Sequence, residues 1–185
     1  MKIAQVPSHR IVILGHSLGT AVTAAVAEHF AKQGVDFAGV VLVQGFTSIP
    51  SLLTQYSIGG YLPLLSPFKS SPTFARILEK HTVDKWQSTV RLASFVRAAR
   101  KFRLFIIHAK NDFEIPWTEA EGLFAAAANA TTDGGMDPAL FKSMKVRNTI
   151  DMGEGCFVAT WKASSDKIIR EEIIPYGREL FALSF

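Results

Sequence analysis

Two short segments carry residues whose types and spacing suit chemistry. The first is Gly15-His16-Ser17-Leu18-Gly19. It fits G-x-S-x-G, the pattern of a strand that turns abruptly into a helix with a serine at the apex. A strained turn of that kind presents the serine hydroxyl. Side chains at 15 and 19 are expected to clash with the chain passing close by, hence the two glycines. The N–H of Leu18 falls at a helix N-terminus, where developing negative charge is stabilised. A hydroxyl and an oxyanion donor so placed suit attack on a carbonyl carbon. The bland alternative is a glycine-rich strand–helix turn with no chemistry.

The second segment is Phe105-Ile106-Ile107-His108-Ala109-Lys110-Asn111-Asp112-Phe113-Glu114-Ile115-Pro116. An aspartate just past the C-terminal end of a parallel strand lies at the edge where such sheets build their sites. In the order serine then aspartate, Asp112 reads as the acid that orients a base. Its alternative is an Asx turn closing a strand–helix loop, with Asn111-Asp112 as turn formers.

These segments need elements to hold them. Ile11-Val12-Ile13-Leu14, Val40-Val41-Leu42-Val43 and Leu104-Phe105-Ile106-Ile107 are short apolar runs that suit buried strands of a parallel sheet. Residues 20–33 read as a helix with Val22, Val26 and Phe30 on its apolar stripe and Gly34 as its stop. Thr118-Glu119-Ala120-Glu121 has capping-box spacing ahead of an alanine-rich helix. Residues 129–138 read as a loop, followed by strand-like runs at Phe157–Trp161 and Ile168–Ile174. The alternation implies an α/β fold. Residues 45–100 break it with Pro50, Pro63, Pro67 and Pro72. They read as a cap insertion with one short helix from Ser71-Pro72 and another from Val83 to Arg100, the latter with Val83, Trp86, Val90 and Val96 on one side.

The segment LGHSLGTAV, followed by a buried strand and a proline-rich cap, resembles an α/β-hydrolase, and so does LFIIHAKNDFEIPW. With GFTSIPSLL after the second strand, the wording is most similar to the α/β-hydrolase-domain lipases acting on monoacylglycerol and lysophospholipid. The resemblance runs over about residues 8–128, and loosely beyond. It implies a parallel sheet with helices on both faces, a cap, and one domain over residues 1–185. It also implies a serine hydrolase of carboxylic esters. Ser17 would attack the ester carbonyl, a histidine would take its proton, Asp112 would orient that histidine, and the Leu18 N–H would donate to the oxyanion. No cofactor or metal is implied.

The chain departs from that pattern at both ends. The family's order is Ser, Asp, His. The five histidines, His9, His16, His29, His81 and His108, all precede Asp112. A histidine is expected near Pro175-Tyr176-Gly177-Arg178-Glu179-Leu180, and none is there. His16 lies in the elbow, where neighbouring side chains diverge. His108 could reach the mouth of the site or be bonded locally, His81 lies in the cap, and His9 and His29 read as surface residues. Only one strand precedes Ser17, so the loop that normally supplies a second oxyanion donor is missing. Losing one such donor costs on the order of 10²–10³ in rate. Losing the base costs about as much as losing the whole triad. The chain therefore reads as truncated at both ends.

Composition narrows the rest. The chain has 185 residues, 48% of them apolar, and a net charge of +4. That excludes a disordered chain and gives no argument for nucleic acid. One cysteine, Cys156, excludes an intrachain disulfide and a multi-cysteine metal site, and reads as a buried or partly buried thiol, not a nucleophile. No apolar run is long enough to span a membrane, and MKIAQVPSHR lacks the apolar core of a secretory signal. The expected location is the cytoplasm or the periphery of an intracellular membrane. Arg91, Arg97, Arg100, Lys101 and Arg103 suit a solvated helix face or anionic lipid headgroups. Tyr56, Tyr61, Phe68 and Trp86 suit an acyl pocket or plain core. Asn129-Ala130-Thr131 is a sequon without a leader. The expected substrate is an acyl ester or lipid. Two further readings stay open: a non-catalytic remnant or binding module with an exposed sheet edge, and a peptidase of the same fold.

Overall fold

The computed structural model describes residues 5–55, 57–58, 62–63 and 86–177. A single turn of 3₁₀ helix, Ser8–Arg10, leads into strand β1, Val12–His16, and helix α1, Gly19–Lys32. Strand β2 is Gly39–Val43 and helix α2 is Ile49–Gln55. Two-residue strands β3, Ser57–Ile58, and β4, Leu62–Pro63, pair antiparallel. Helix α3, Ser88–Ala98, strand β5, Phe102–Ala109, and helix α4, Thr118–Asn129, follow. Helix α5, Pro138–Arg147, precedes β6, Thr149–Gly153, β7, Cys156–Lys162, and β8, Lys167–Ile174.

The main sheet has six strands in the order β1-β2-β5-β8-β7-β6. The first four run parallel, and β7 and β6 are antiparallel to their neighbours. The sheet is therefore mixed, where the apolar runs alone suggested a parallel one. The hairpin connections to β7 allow the reversal, because antiparallel neighbours need no crossover helix. The class remains α/β.

Strand periodicity sorts the side chains by face. Val40, Leu42, Leu104, Ile106, Ile169 and Ile173 are buried together with Leu92, Phe95, Leu123 and Phe124 of α3 and α4. Each such side chain is worth roughly 1.5–3 kcal/mol of transfer free energy. The intervening residues, among them Val41, Val43, Phe105 and Ile107, are half-buried, and Val12 and Leu14 are 56% and 63% exposed. Among the described residues, α1, α3 and α4 pack against one face only, so the expected helices on both faces are not found there. No strand pairs with the outer edge of β1 among the described residues.

Helix α1 inverts the expected stripe. Its buried residues are Thr20, Ala21, Thr23, Ala24, Ala27 and Ala31, while Val22 is 53% exposed. Small side chains win the inner face because α1 lies close against β1 and α3, where a valine would hold the backbones apart. Its end is as the sequence indicates. Gly34 has φ +72°, and the N–H groups of Gly34 and Val35 donate to the carbonyls of Ala31 and Phe30. In α3 the buried side is Leu92, Phe95 and Val96, while Val90 is 58% exposed. Of residues 45–100, α3 lies in the helical layer against α1 and α4. The expected helix at Ser71-Pro72, with His81, Tyr56, Tyr61 and Phe68, falls outside the described residues.

Candidate functional site

The strand order sets the site. Ser17 follows β1, Gln44 follows β2, Asp112 follows β5 and Pro175 follows β8, all at the C-terminal edge of the parallel strands. Ser17 and Asp112 are carried by strands with one strand between them, a spacing of about 10 Å at the sheet.

Ser17 has φ +50°, a left-handed conformation that is strained for a residue with a side chain. The turn is held on both sides. Its N–H donates to the Val43 carbonyl at 2.9 Å, extending the β1–β2 ladder. Its own carbonyl accepts from the Thr20 N–H at 3.0 Å and the Thr20 hydroxyl at 2.6 Å. The Ser17 side chain is half-buried and, among the described residues, its hydroxyl has no hydrogen-bond partner. Leu18 caps α1, so its N–H leads the helix, where backbone donors lack intrahelical acceptors.

The two motif glycines differ. A Cβ on Gly15 would lie 2.4 Å from the Gly19 carbonyl oxygen and 2.4 Å from Thr23 Oγ1. A Cβ on Gly19 would meet nothing within 4 Å. The expected clash at Gly19 is therefore absent, because position 19 already points away from the strand. His16 reaches across to the next strand, with Nε2 2.5 Å from Gln44 Oε1. Gln44 itself has φ +52° and donates its N–H to the Ile107 carbonyl, so the chain bends at the same level in both strands.

Asp112 does form the Asx turn: Oδ1 accepts from the N–H groups of Glu114 and Ile115 at 2.9 and 3.0 Å. Its other oxygen, Oδ2, lies 3.6 Å from His108 Nε2. Burial pushes the carboxyl up, but His108 and the two backbone donors outweigh it and hold Asp112 below its ordinary value. His108 is fully buried, and its Nε2 lies 2.9 Å from the Ile115 carbonyl oxygen, to which it donates. It does not reach the mouth of the site. Local bonding is its observed role.

The other expected residues are dispersed. His9 and His29 are exposed, and His29 contacts Gln33 Nε2 at 2.9 Å. Trp86 is half-buried and packs, as Ile49 and Leu52 do, on a small apolar cluster of Ala21, Phe46 and Ile115. Cys156 is a buried free thiol. Arg91 pairs with Glu28 and Arg100 with Asp36, which leaves Arg97, Lys101 and Arg103 as the exposed cations of that stretch without a described ion pair. No cluster of potential metal ligands occurs among the described residues.

One residue escaped the sequence reading. The capping box expected of Thr118 and Glu121 does not form, because α4 has Trp117 at its N-cap and no side-chain cap bond, and Glu119 takes no part in a cap. Instead its carboxylate is buried and accepts from the Thr47 N–H, the Thr47 hydroxyl and the Ser51 hydroxyl, each at 2.6 Å. It ties α4 to the loop after β2 and to α2. No family model matches this chain, and no curated protein matches it.

Proposed function

We propose that this chain is a serine hydrolase of carboxylic esters, of the lipase, lysophospholipase or esterase type, on an α/β-hydrolase-like sheet. The observation that carries this reading is Ser17 at φ +50°, pinned between a strand and a helix by Val43 and Thr20, with a hydroxyl not bonded to any described residue. A backbone held in so unfavourable a conformation suits a group that must be presented. In the step envisaged, Ser17 Oγ bonds to the acyl carbon as its proton passes to a base. The C–O bond to the alcohol breaks, and the alcohol leaves with a proton. Water then cleaves the acyl-serine ester. The Leu18 N–H faces the developing oxyanion, and Asp112 is the acid. An acyl ester or lipid substrate belongs to this reading, as does peripheral membrane contact through the basic stretch 91–103. No helix among the described residues is long and apolar enough to cross a membrane.

A second reading, a non-catalytic module of the same fold, is favoured by the histidines. None of the described ones joins Ser17 to Asp112, and Asp112 Oδ2 is turned toward buried His108. The two readings divide on one experiment. A fluorophosphonate probe on the folded chain is expected to label Ser17, and Ser17→Ala to remove the label. Equal labelling of both proteins, or none of either, rejects the hydrolase.

A further inference from the structure

The chain that leaves β2, residues 44–51, is tied to both halves of the candidate site. β2 lies between β1, which leads to Ser17, and β5, which leads to Asp112. Its end is fixed to each: the Ser17 N–H donates to the Val43 carbonyl, and the Gln44 N–H donates to the Ile107 carbonyl. Beyond that level the backbone runs close to α1 and α4. A Cβ on Gly45 would lie 2.9 Å from Leu123 Cδ1 of α4 and 3.3 Å from Thr20 Oγ1, the hydroxyl that donates to the Ser17 carbonyl. Phe46 is fully buried in one apolar cluster with Ala21 and Ile115. Ala21 belongs to the first turn of α1, just past Ser17, and the Ile115 N–H donates to Asp112 Oδ1. One aromatic side chain, from the strand between the two turns, thus shares its cluster with a residue of each.

Glu119 holds this loop in place. It is 3% exposed, and it accepts from the N–H and hydroxyl of Thr47 and from the Ser51 hydroxyl. Thr47 follows Phe46 directly, so the bond to its N–H fixes the peptide that joins the two. The contact is tight on the helix side as well. A Cβ on Gly122, about one turn further along α4, would lie 2.6 Å from Thr47 Cγ2. Thr47 cannot rotate away from that contact without giving up its hydroxyl bond to Glu119. The loop is clamped against α4 with no slack.

We propose that Glu119 is a positioning residue: by clamping Thr47 and Ser51 it holds Phe46 at the depth that sets the gap between the Ser17 and Asp112 turns. The proposal rests on the reading of Ser17 as nucleophile and Asp112 as acid. A base that joins those two must reach across the end of β2, so the loop there is the floor beneath it. Glu119 acts through Phe46 and takes no part in bond making. Without its carboxylate three donors lose their acceptor, the loop lifts, and the two turns lose their common spacer. A misplacement of about 1 Å between reacting groups costs on the order of 10²-fold in rate.

The test joins the rate at which a fluorophosphonate labels Ser17, per folded molecule, with backbone amide NMR of the full chain. Glu119→Ala is expected to slow labelling by roughly tenfold or more. It should also shift the amide signals of Leu18 and Thr20 on one side and of Glu114 and Ile115 on the other. Glu119→Gln is the conservative rescue. Its carbonyl oxygen can take both Thr47 donors and its NH₂ group can donate to Ser51 Oγ, so labelling and both sets of signals should stay near wild type. Gly122→Ala presses on Thr47 with Glu119 intact. It should slow labelling and shift the same amides, and it serves if Glu119→Ala fails to fold. Lys145→Met controls for lost stability: Lys145 Nζ lies 2.8 Å from Oε2 of fully buried Glu171 on β8, a pair that includes no residue of the loop. Its labelling per folded molecule should be unchanged. Equal slowing by Lys145→Met, or Glu119→Ala shifts confined to the loop and α4, overturns the proposal. A wild type that does not label rejects the hydrolase, and the amide shifts then decide alone whether Glu119 sets the gap.

Discussion

Glycines 15 and 19 occupy equivalent places in the motif, yet substitution by alanine should move stability in opposite directions. At Gly15 the new Cβ would lie 2.4 Å from a backbone oxygen and 2.4 Å from Thr23 Oγ1. Ordinary carbon–oxygen contact is beyond 3 Å, so about 1 Å of displacement is needed. Thr23 can rotate, but the Gly19 carbonyl cannot move alone. It belongs to the first turn of α1, and the Ser17 carbonyl is bound to Thr20 in that same turn. The helix must shift as a body against a core that includes Ala24 and Ala27, at a cost of about 1–3 kcal/mol. At Gly19 the added methyl meets nothing within 4 Å, in a helical position. Alanine there should stabilise by about 0.4–1 kcal/mol, through the unfolded chain. For a chain of this length 1 kcal/mol corresponds to roughly 2–4 °C in Tm. Urea unfolding with matched m-values, together with thermal melts, measures both. Gly15→Ala/Thr23→Ala should recover only part of the loss, because the carbonyl contact persists. A Gly15→Ala protein as stable as the wild type, or a destabilised Gly19→Ala, would refute the contact geometry.

Ser17→Gly should abolish probe labelling and raise unfolding stability by about 1 kcal/mol, since glycine adopts the left-handed conformation without strain. Glu119→Ala should cost about 3 kcal/mol in urea unfolding, because three donors lose a charged acceptor. Asp112 is held below its ordinary value of 3.8, so it adds stability above that pH and loses it as pH falls through the lower folded value. Asp112→Asn should therefore flatten the acid side of the stability–pH curve, read by thermal melts from neutral pH downward. Leu14→Lys should change stability by under about 0.5 kcal/mol but reduce light scattering on concentration, because Leu14 is 63% exposed on β1, the outermost strand of the sheet among the described residues.

The catalytic-looking parts of the fold were the most legible. The run Ile11–Leu14 and the glycines around Ser17 located β1, the turn and α1, because an apolar strand followed by a helix leaves a strong local signature. The Asx turn at Asp112 was legible for the same reason, as Asp bonds the backbone two and three residues on. α5 and β6 were missed. α5 has no buried residue and β6 exposes Ile150 and Met152, so neither gives a periodic stripe. The signal that could have found α5 is Asp137-Pro138, where the carboxylate accepts from Ala139 and Leu140 and proline fills the first helical position. Glu119 and the Lys145–Glu171 pair depend on contacts between elements distant in the chain, and no local pattern announces them. The stripe on α1 was misjudged because burial there is decided by how closely two backbones approach, which favours alanine over valine.

A sheet that, among the described residues, carries helices on one face alone leaves a thermodynamic signature. Val12 and Leu14 are already wet in the folded protein, and Val41, Val43, Phe105 and Ile107 are partly so. Unfolding adds little new hydration at those side chains. Heat-capacity change and denaturant sensitivity both scale with the surface newly exposed. The described part of the fold should therefore melt over a broader range, with a flatter stability curve, than a sheet of the same length buried on both sides.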